Sequence, residues 1–236
     1  MATHLDLEEQ EQLDQLKSFW KQYGNLITWV LIAGLAAFAG WNAWNWWQRE
    51  QSAKSGAMFD QLDKAAQSGD VDQAGRIFTD MKERFPGTSF TQQAGLLAAK
   101  VQFEKGQADA ALVSLAWVAS NGQEPEYQTV ARLRAAGVMM EQKKYDEAIK
   151  QLDGATAPEF VALVADRRGD VLFAQGKKDE AKVAYAKAWQ SMDAKVEYRR
   201  LIEAKLAALG AAPVEASAAV DAAKTAAPAK ASEVAK

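Results

Sequence analysis

The chain has 236 residues, 49 % hydrophobic and 25 % charged, with a formal net charge of −3. That balance excludes a disordered chain and a polytopic membrane protein, and the length suits one domain with additions or two small ones. Cys is absent and His4 is the only histidine, which excludes disulfide scaffolds, thiol nucleophiles and multi-histidine metal sites, and argues against histidine-based catalysis.

Residues 1–23 form an acidic leader in which Asp6, Glu8, Glu9, Glu11 and Asp14 stand against Lys17 and Lys21. Leu13, Leu16, Trp20 and Tyr23 recur at helical spacing. This predicts an amphipathic helix over 8–23 that runs into the next segment. No charged residue stands between Lys21 and Arg49. Residues 24–47 are therefore expected to be a transmembrane helix, which needs about 20 apolar residues. Six of the eight Trp lie between residues 20 and 47. Trp20 and Tyr23 mark one end of the apolar run; Trp41, Trp44, Trp46 and Trp47 crowd the other. Indole is an apolar body with one polar N–H, so these residues read as a belt at the lipid headgroups. Ala37-Phe38-Ala39 has the small-x-small form of a cleavage site. A signal peptide, however, starts with a short basic stretch, and this leader is long and acidic, so the segment reads as an uncleaved anchor. Lys17 and Lys21 precede the span, and Arg49, Lys54 and Lys64 follow it, so charge alone leaves its orientation open.

After the belt, with almost no linker, the chain repeats itself. Gly69-Asp-Val-Asp-Gln-Ala74, Gly106-Gln-Ala-Asp-Ala-Ala111, Lys143-Lys-Tyr-Asp-Glu-Ala148 and Gly176-Lys-Lys-Asp-Glu-Ala181 share an acid two residues before an Ala. The Ala positions are 37, 37 and 33 residues apart, the period of helix–turn–helix repeats of the tetratricopeptide kind. Gly, or Lys in its place, ends one helix; the acid sits at or near the first turn of the next, where a carboxylate can bond free N–H groups and oppose the dipole. Ala follows where two helices must come close. In register with these lie Phe78 and Pro86; Ala99 and Leu115; Ala136 and Leu152; and Gly169, Tyr185 and Ala188. Residues 194–209, ended by Gly210, predict one more amphipathic helix, which a solenoid needs to cover its last apolar face. Residues 211–236 are rich in Ala, Pro and Lys without an aromatic, and are expected to be disordered. The expected fold is all-α: a single N-terminal transmembrane helix, then over 51–209 a tetratricopeptide-like α-solenoid of about four helix pairs plus a C-terminal capping helix.

No P-loop, dinucleotide fingerprint, zinc-protease helix or nucleophile elbow occurs, so neither enzyme activity, metal nor cofactor is expected. The carboxylates read as solvated faces and helix starts. Basic and acidic residues balance once leader and tail are set aside, so no nucleic-acid footprint remains. Binding of polypeptide is what is left. The repeat register turns Leu96, Phe103, Leu133, Met140 and Phe173 toward a concave face suited to extended or helical chains, although the same spacing also serves packing between repeats. Arg167 and Arg168 are either anchors for a partner carboxylate or solvated.

The acidic leader, the span ending in Gly40-Trp41-Asn-Ala-Trp44, the imperfect repeats and the stretch Val164-Ala-Asp-Arg-Arg-Gly-Asp-Val-Leu-Phe-Ala-Gln-Gly176 resemble the YfgM family, ancillary subunits of the bacterial Sec translocon. The resemblance covers about residues 8–208; the Ala/Lys-rich tail departs from the family's shorter C-terminus. It implies a bacterial inner-membrane protein with a cytoplasmic N-terminus and periplasmic repeats. The implied partners are SecYEG and a PpiD-like membrane-anchored periplasmic chaperone. The implied role is to help receive secreted and outer-membrane polypeptides, with a link to envelope-stress regulation. A scaffold for another envelope complex, in outer-membrane assembly or division, shares all these sequence features.

Overall fold

A computed structural model describes residues 7–211. His4, the first residues of the leader and the tail beyond Ala211 lie outside the described residues. Every regular element among the described residues is helical, and the chain divides into two units, Met1–Ala53 and Lys54–Lys236.

Helix α1 spans Leu7–Ser68, and its residues up to Ala53 make up the first unit. It is the one described helix long and apolar enough to cross a membrane. Leu26 to Trp47 rises roughly 33 Å at 1.5 Å per residue, against a hydrocarbon core of about 30 Å. Leu26, Trp29, Leu35, Phe38, Trp41 and Trp46 are all exposed, so apolar side chains face outward all round. The polar side chains in this stretch bond their own helix: Thr28 Oγ1 donates to the Gly24 carbonyl at 2.8 Å and Asn42 Nδ2 to the Phe38 carbonyl at 3.2 Å. Such back-bonding is what a polar group needs where water is absent. The aromatics sit at both ends of the run, with Phe19 against Tyr23 at 5.1 Å and Trp44 against Trp47 at 5.2 Å.

The second unit begins with the end of α1 and continues through α2 (Val71–Arg84), α3 (Ser89–Glu104), α4 (Ala108–Asn121), α5 (Pro125–Glu141), α6 (Tyr145–Asp153), α7 (Val161–Ala174), α8 (Lys178–Ser191) and α9 (Tyr198–Ala208). These are four hairpins and a final helix. Ala74, Ala111, Ala148 and Ala181 sit in the second helix of each hairpin with no exposed surface. Facing them on the first helices, Ala99, Ala136 and Gly169 are buried in register. A Cβ on Gly169 would come within 2.5 Å of the Tyr185 ring, so the aromatic fills the place the side chain leaves. Phe78, Leu115, Leu152 and Tyr185 are buried one turn beyond each Ala, and Phe78 meets Trp117 edge-to-face at 5.5 Å.

The hairpin turns share one geometry. Gly69, Gly106, Lys143 and Gly176 all have positive φ, as does Gly210 after α9. The next residue in each case donates to a carbonyl five residues back: Asp70 to Ala65, Gln107 to Gln102, Lys144 to Met139, Lys177 to Leu172 and Ala211 to Leu206, at 2.8–2.9 Å. This left-handed C-terminal cap satisfies carbonyls that the helix leaves free. Lys143 alone among them carries a Cβ, at φ 59°.

The helix starts carry their acids in the first turn, as the pattern predicts. Asp72, Asp109, Asp146 and Asp179 are each the second residue of their helix and sit in the first turn, where they oppose the dipole. None of them caps it; the only aspartate cap among these four helices is Asp70, which accepts from the Gln73 N–H at 2.9 Å. Asp109 and Asp146 instead reach the next hairpin, accepting from Gln142 and Gln175, the residues that end α5 and α7, at 3.2 Å. The capping helix starts at Tyr198 rather than 194, because Asp193 accepts from the Lys195 N–H at 2.9 Å and holds a turn first. The third hairpin is also shorter: α6 has 9 residues, and a 3₁₀ turn, Pro158–Phe160, replaces its last turns. Thr129 Oγ1 on α5 ties that connection down by accepting from the Ala157 N–H.

Replacing Lys143 by Gly relieves the left-handed penalty on a side-chain-bearing residue and is expected to stabilise the domain by about 1 kcal/mol. Gly106→Ala and Gly176→Ala are expected to lower stability by a similar amount. Thermal unfolding followed by circular dichroism reads both signs.

A candidate binding cleft on the first helices

The first helices α3, α5 and α7 line a cleft of about 390 Å³. Its lining is Ala99, Lys100 and Phe103 on α3, Leu115 on α4, Arg134, Gly137, Val138 and Glu141 on α5, and Arg167 on α7. Phe103 lines it as the repeat register predicts. Leu96 does not: it is 8 % exposed, inside the cluster of Ala99, Leu115 and Ala131. Leu133 and Met140 lie one residue round α5 from the lining positions, a rotation of about 100°. They pack instead against Ala136, Ala148, Leu152 and Val171. Phe173 is 49 % exposed but outside the lining. Of the five positions expected on this face, Phe103 alone lines the cleft; on α5 a shift of one residue changes the face.

Arg134 was missed by sequence reasoning. Its guanidinium donates to the Leu96 carbonyl at 3.1 Å, and burial pushes its pKa below the usual arginine range. The signal for it was available: Arg134 and Arg167 each stand nine residues before the left-handed turn residue, Lys143 and Gly176. Arg168 turns the other way and pairs with Asp153 at 2.6 Å.

Behind Arg167 lies a buried polar network that corrects the reading of all carboxylates as solvated. Asp166 on α7 is 3 % exposed. It accepts from Tyr198 Oη at 2.7 Å and from Lys205 Nζ at 2.8 and 2.9 Å, both on α9. Asp170, one turn on, accepts from the same Lys205 at 2.7 Å and from Tyr185 Oη on α8 at 2.8 Å. Burial first, then the hydrogen bonds and charges of the two aspartates, pushes both tyrosine hydroxyls well above the ordinary phenol range. Both therefore stay protonated and donate. Lys205 also lies over the Tyr185 ring at 5.2 Å. On the far side of α9, Arg199 stacks on Trp189 at 3.9 Å. The capping helix is thus held by charge as well as by Ile202 and Leu206, which are buried against Ala184 and Ala188. Among the described residues no group of three acidic or histidine side chains is placed to hold a metal ion.

Stacked hairpins with a small residue at each crossing, a left-handed turn in each hairpin and a groove on the first helices define a tetratricopeptide-like helical-repeat protein. Residues 17–211 match the family described as tetratricopeptide repeat-like domain. Three relatives carry the name ancillary SecYEG translocon subunit. That of Neisseria gonorrhoeae (strain ATCC 700825 / FA 1090) is 31 % identical over 89 % of this chain and 100 % of its own length. That of Haemophilus influenzae (strain ATCC 51907 / DSM 11121 / KW20 / Rd) is 29 % identical over 78 % of this chain and 90 % of its own. That of Escherichia coli (strain K12) is 26 % identical over 75 % and 85 %. The chain belongs to this family of ancillary SecYEG translocon subunits, the YfgM family.

Lys205→Met leaves the Asp166 carboxylate buried without its cation and is expected to cost about 3 kcal/mol of stability. Lys182→Met removes the exposed pair with Asp179 and is expected to change stability by less than about 0.5 kcal/mol. Chemical denaturation of the two variants side by side checks the contrast.

Proposed function

We propose that this chain is a non-catalytic adaptor and chaperone of the Sec translocon. Residues 24–47 cross the bacterial inner membrane, with Trp20 and Tyr23 at one headgroup level and Trp41, Trp44, Trp46 and Trp47 at the other. The N-terminus is cytoplasmic and the repeats periplasmic. The observation that carries this reading is the open cleft on α3, α5 and α7, which joins an apolar wall around Phe103 to charged rims in a chain of this family. Its partners are SecYEG, a PpiD-like chaperone and secreted or outer-membrane polypeptides leaving the channel, and the link to envelope stress follows from handling those clients. The mechanism is tethering. A surface held beside the channel meets emerging chain at high effective concentration, so weak and sequence-tolerant affinity is enough.

A photo-crosslinking residue at Phe103 in native membranes is expected to yield adducts with translocating chains, with a Sec subunit or with a PpiD-like protein; adducts with none of these would overturn the role. Protease added to spheroplasts is expected to digest the chain after Arg49, and protection of that region would reverse the orientation.

A further inference from the structure

The two guanidinium groups of the cleft are unequally served by hydrogen-bond acceptors. Arg134 has five N–H donors, and its one acceptor is the neutral carbonyl of Leu96 at 3.1 Å. No carboxylate lies within ion-pair distance of it among the described residues. Arg167 has a carboxylate near it, Asp170, but at 3.7 Å. The other Asp170 oxygen is already engaged by Lys205 and Tyr185. A third cation of the cleft, Lys100, is paired with Glu104 at 3.2 Å. Against Lys100, Arg134 and Arg167 the lining holds one carboxylate, Glu141, so it carries more positive than negative charge, and the cations without a close carboxylate are Arg134 and Arg167.

The backbone leaves room between them. Gly137 lies on α5 one turn beyond Arg134, and a Cβ there would stand 3.8 Å from Arg167 Nη1. The arginines occupy equivalent positions on successive first helices, so the repeat itself aims both at one space. Phe103, Val138 and Ala99 supply an apolar wall beside that space. A planar fork matches a carboxylate with two parallel hydrogen bonds, and partial desolvation strengthens each of them.

We propose that this cleft recognises an acidic side chain of an extended polypeptide, with Arg134 and Arg167 receiving the carboxylate and Phe103 the apolar residue next to it. The inference rests on the reading of the cleft as the polypeptide-binding surface and names what that surface selects. A chain still emerging from a channel presents no C-terminus, so the occupant is an internal Asp or Glu. A peptide without the carboxylate keeps the Phe103 contact but, in covering the cleft, takes water from two cations without replacing it, which is where the discrimination comes from.

The test uses the full-length chain in detergent micelles and short fluorescent peptides, acetylated and amidated at their ends, that differ only as Leu-Glu-Phe or Leu-Gln-Phe at their centre. Fluorescence anisotropy is expected to show the Glu peptide binding roughly tenfold tighter or more than the Gln peptide. The preference is expected to shrink as salt is raised and to disappear in Arg167→Gln. In Arg134→Lys, which keeps the charge and loses the fork, it is expected to fall sharply. Thermal unfolding of each variant separates lost recognition from lost folding, and Arg167→Gln, which gives up no short hydrogen bond to the domain, keeps the test decisive if Arg134→Lys is unstable. Equal affinity for the two peptides overturns the acidic-site assignment while leaving the cleft a polypeptide binder. Failure of both peptides to bind overturns the binding reading itself. Preference for a neutral peptide with a free C-terminal carboxylate overturns the choice of an internal side chain.

Discussion

Two helices settle at about 8–10 Å between axes only where their contact residues are small enough to let the backbones in. In this domain that condition is met by one Ala per hairpin, at positions 74, 111, 148 and 181, all without exposed surface. The opposing residues Ala99, Ala136 and Gly169 make the match from the other side. Once the crossing is close, the bulky residue one turn later has only one place to go, between the two helices. That is why Phe78, Leu115, Leu152 and Tyr185 are core residues although they differ in shape. The left-handed turn preceding each Ala sets the direction in which the second helix returns. Any larger residue at the crossing would spread the hairpin and change every face beyond it.

The groove is a consequence of that geometry. With second helices turned back on the outside, successive first helices stand side by side and present the same positions to one space. Arg134 and Arg167 meet the cleft for that reason rather than through any contact with each other. The end of the array follows a different rule. A solenoid's last apolar face must be covered, and α9 covers it with Ile202 and Leu206. A short helix buries little, and the Lys205, Tyr198, Asp166 and Asp170 network adds a fixed orientation. Removing one partner of such a buried pair leaves the other charge uncompensated, so the network holds only while α9 keeps its place.

Much of this was legible in the sequence because it depends on residues with few alternatives. Gly at the turns, Ala at the crossings and an acid in the first turn can be found by period alone, and even Lys143 was placed correctly as a turn residue. The apolar run and its aromatics were equally plain, since a helix flanked by Lys21 and Arg49 with no charge between them has few other uses. The facing of individual side chains was less legible. Leu133 and Met140 are separated from the lining positions Arg134 and Glu141 by one residue, a distinction that period cannot make when both faces carry long side chains. Asp166 is buried by partners, Tyr198 and Lys205, that lie more than thirty residues away, on a helix that starts four residues later than its pattern predicts. Long-range polar pairing leaves no local signature. The one trace it did leave was the density of charge in Asp166-Arg-Arg-Gly-Asp170, and that density admits several readings.

That short stretch joins the capping helix to the cleft. Within a turn and a half of α7, Asp166 and Asp170 face the capping helix, Gly169 admits the Tyr185 ring, Arg168 reaches back to Asp153 on the preceding hairpin, and Arg167 faces the cleft. Asp170 belongs to both sides. One of its oxygens is held by Lys205 and Tyr185; the other is the nearest anion to Arg167. The capping helix therefore does more than cover an apolar face: it shares with the cleft the carboxylate that stands beside Arg167. The charge facing the groove and the contact that seats the capping helix meet in one carboxylate of α7.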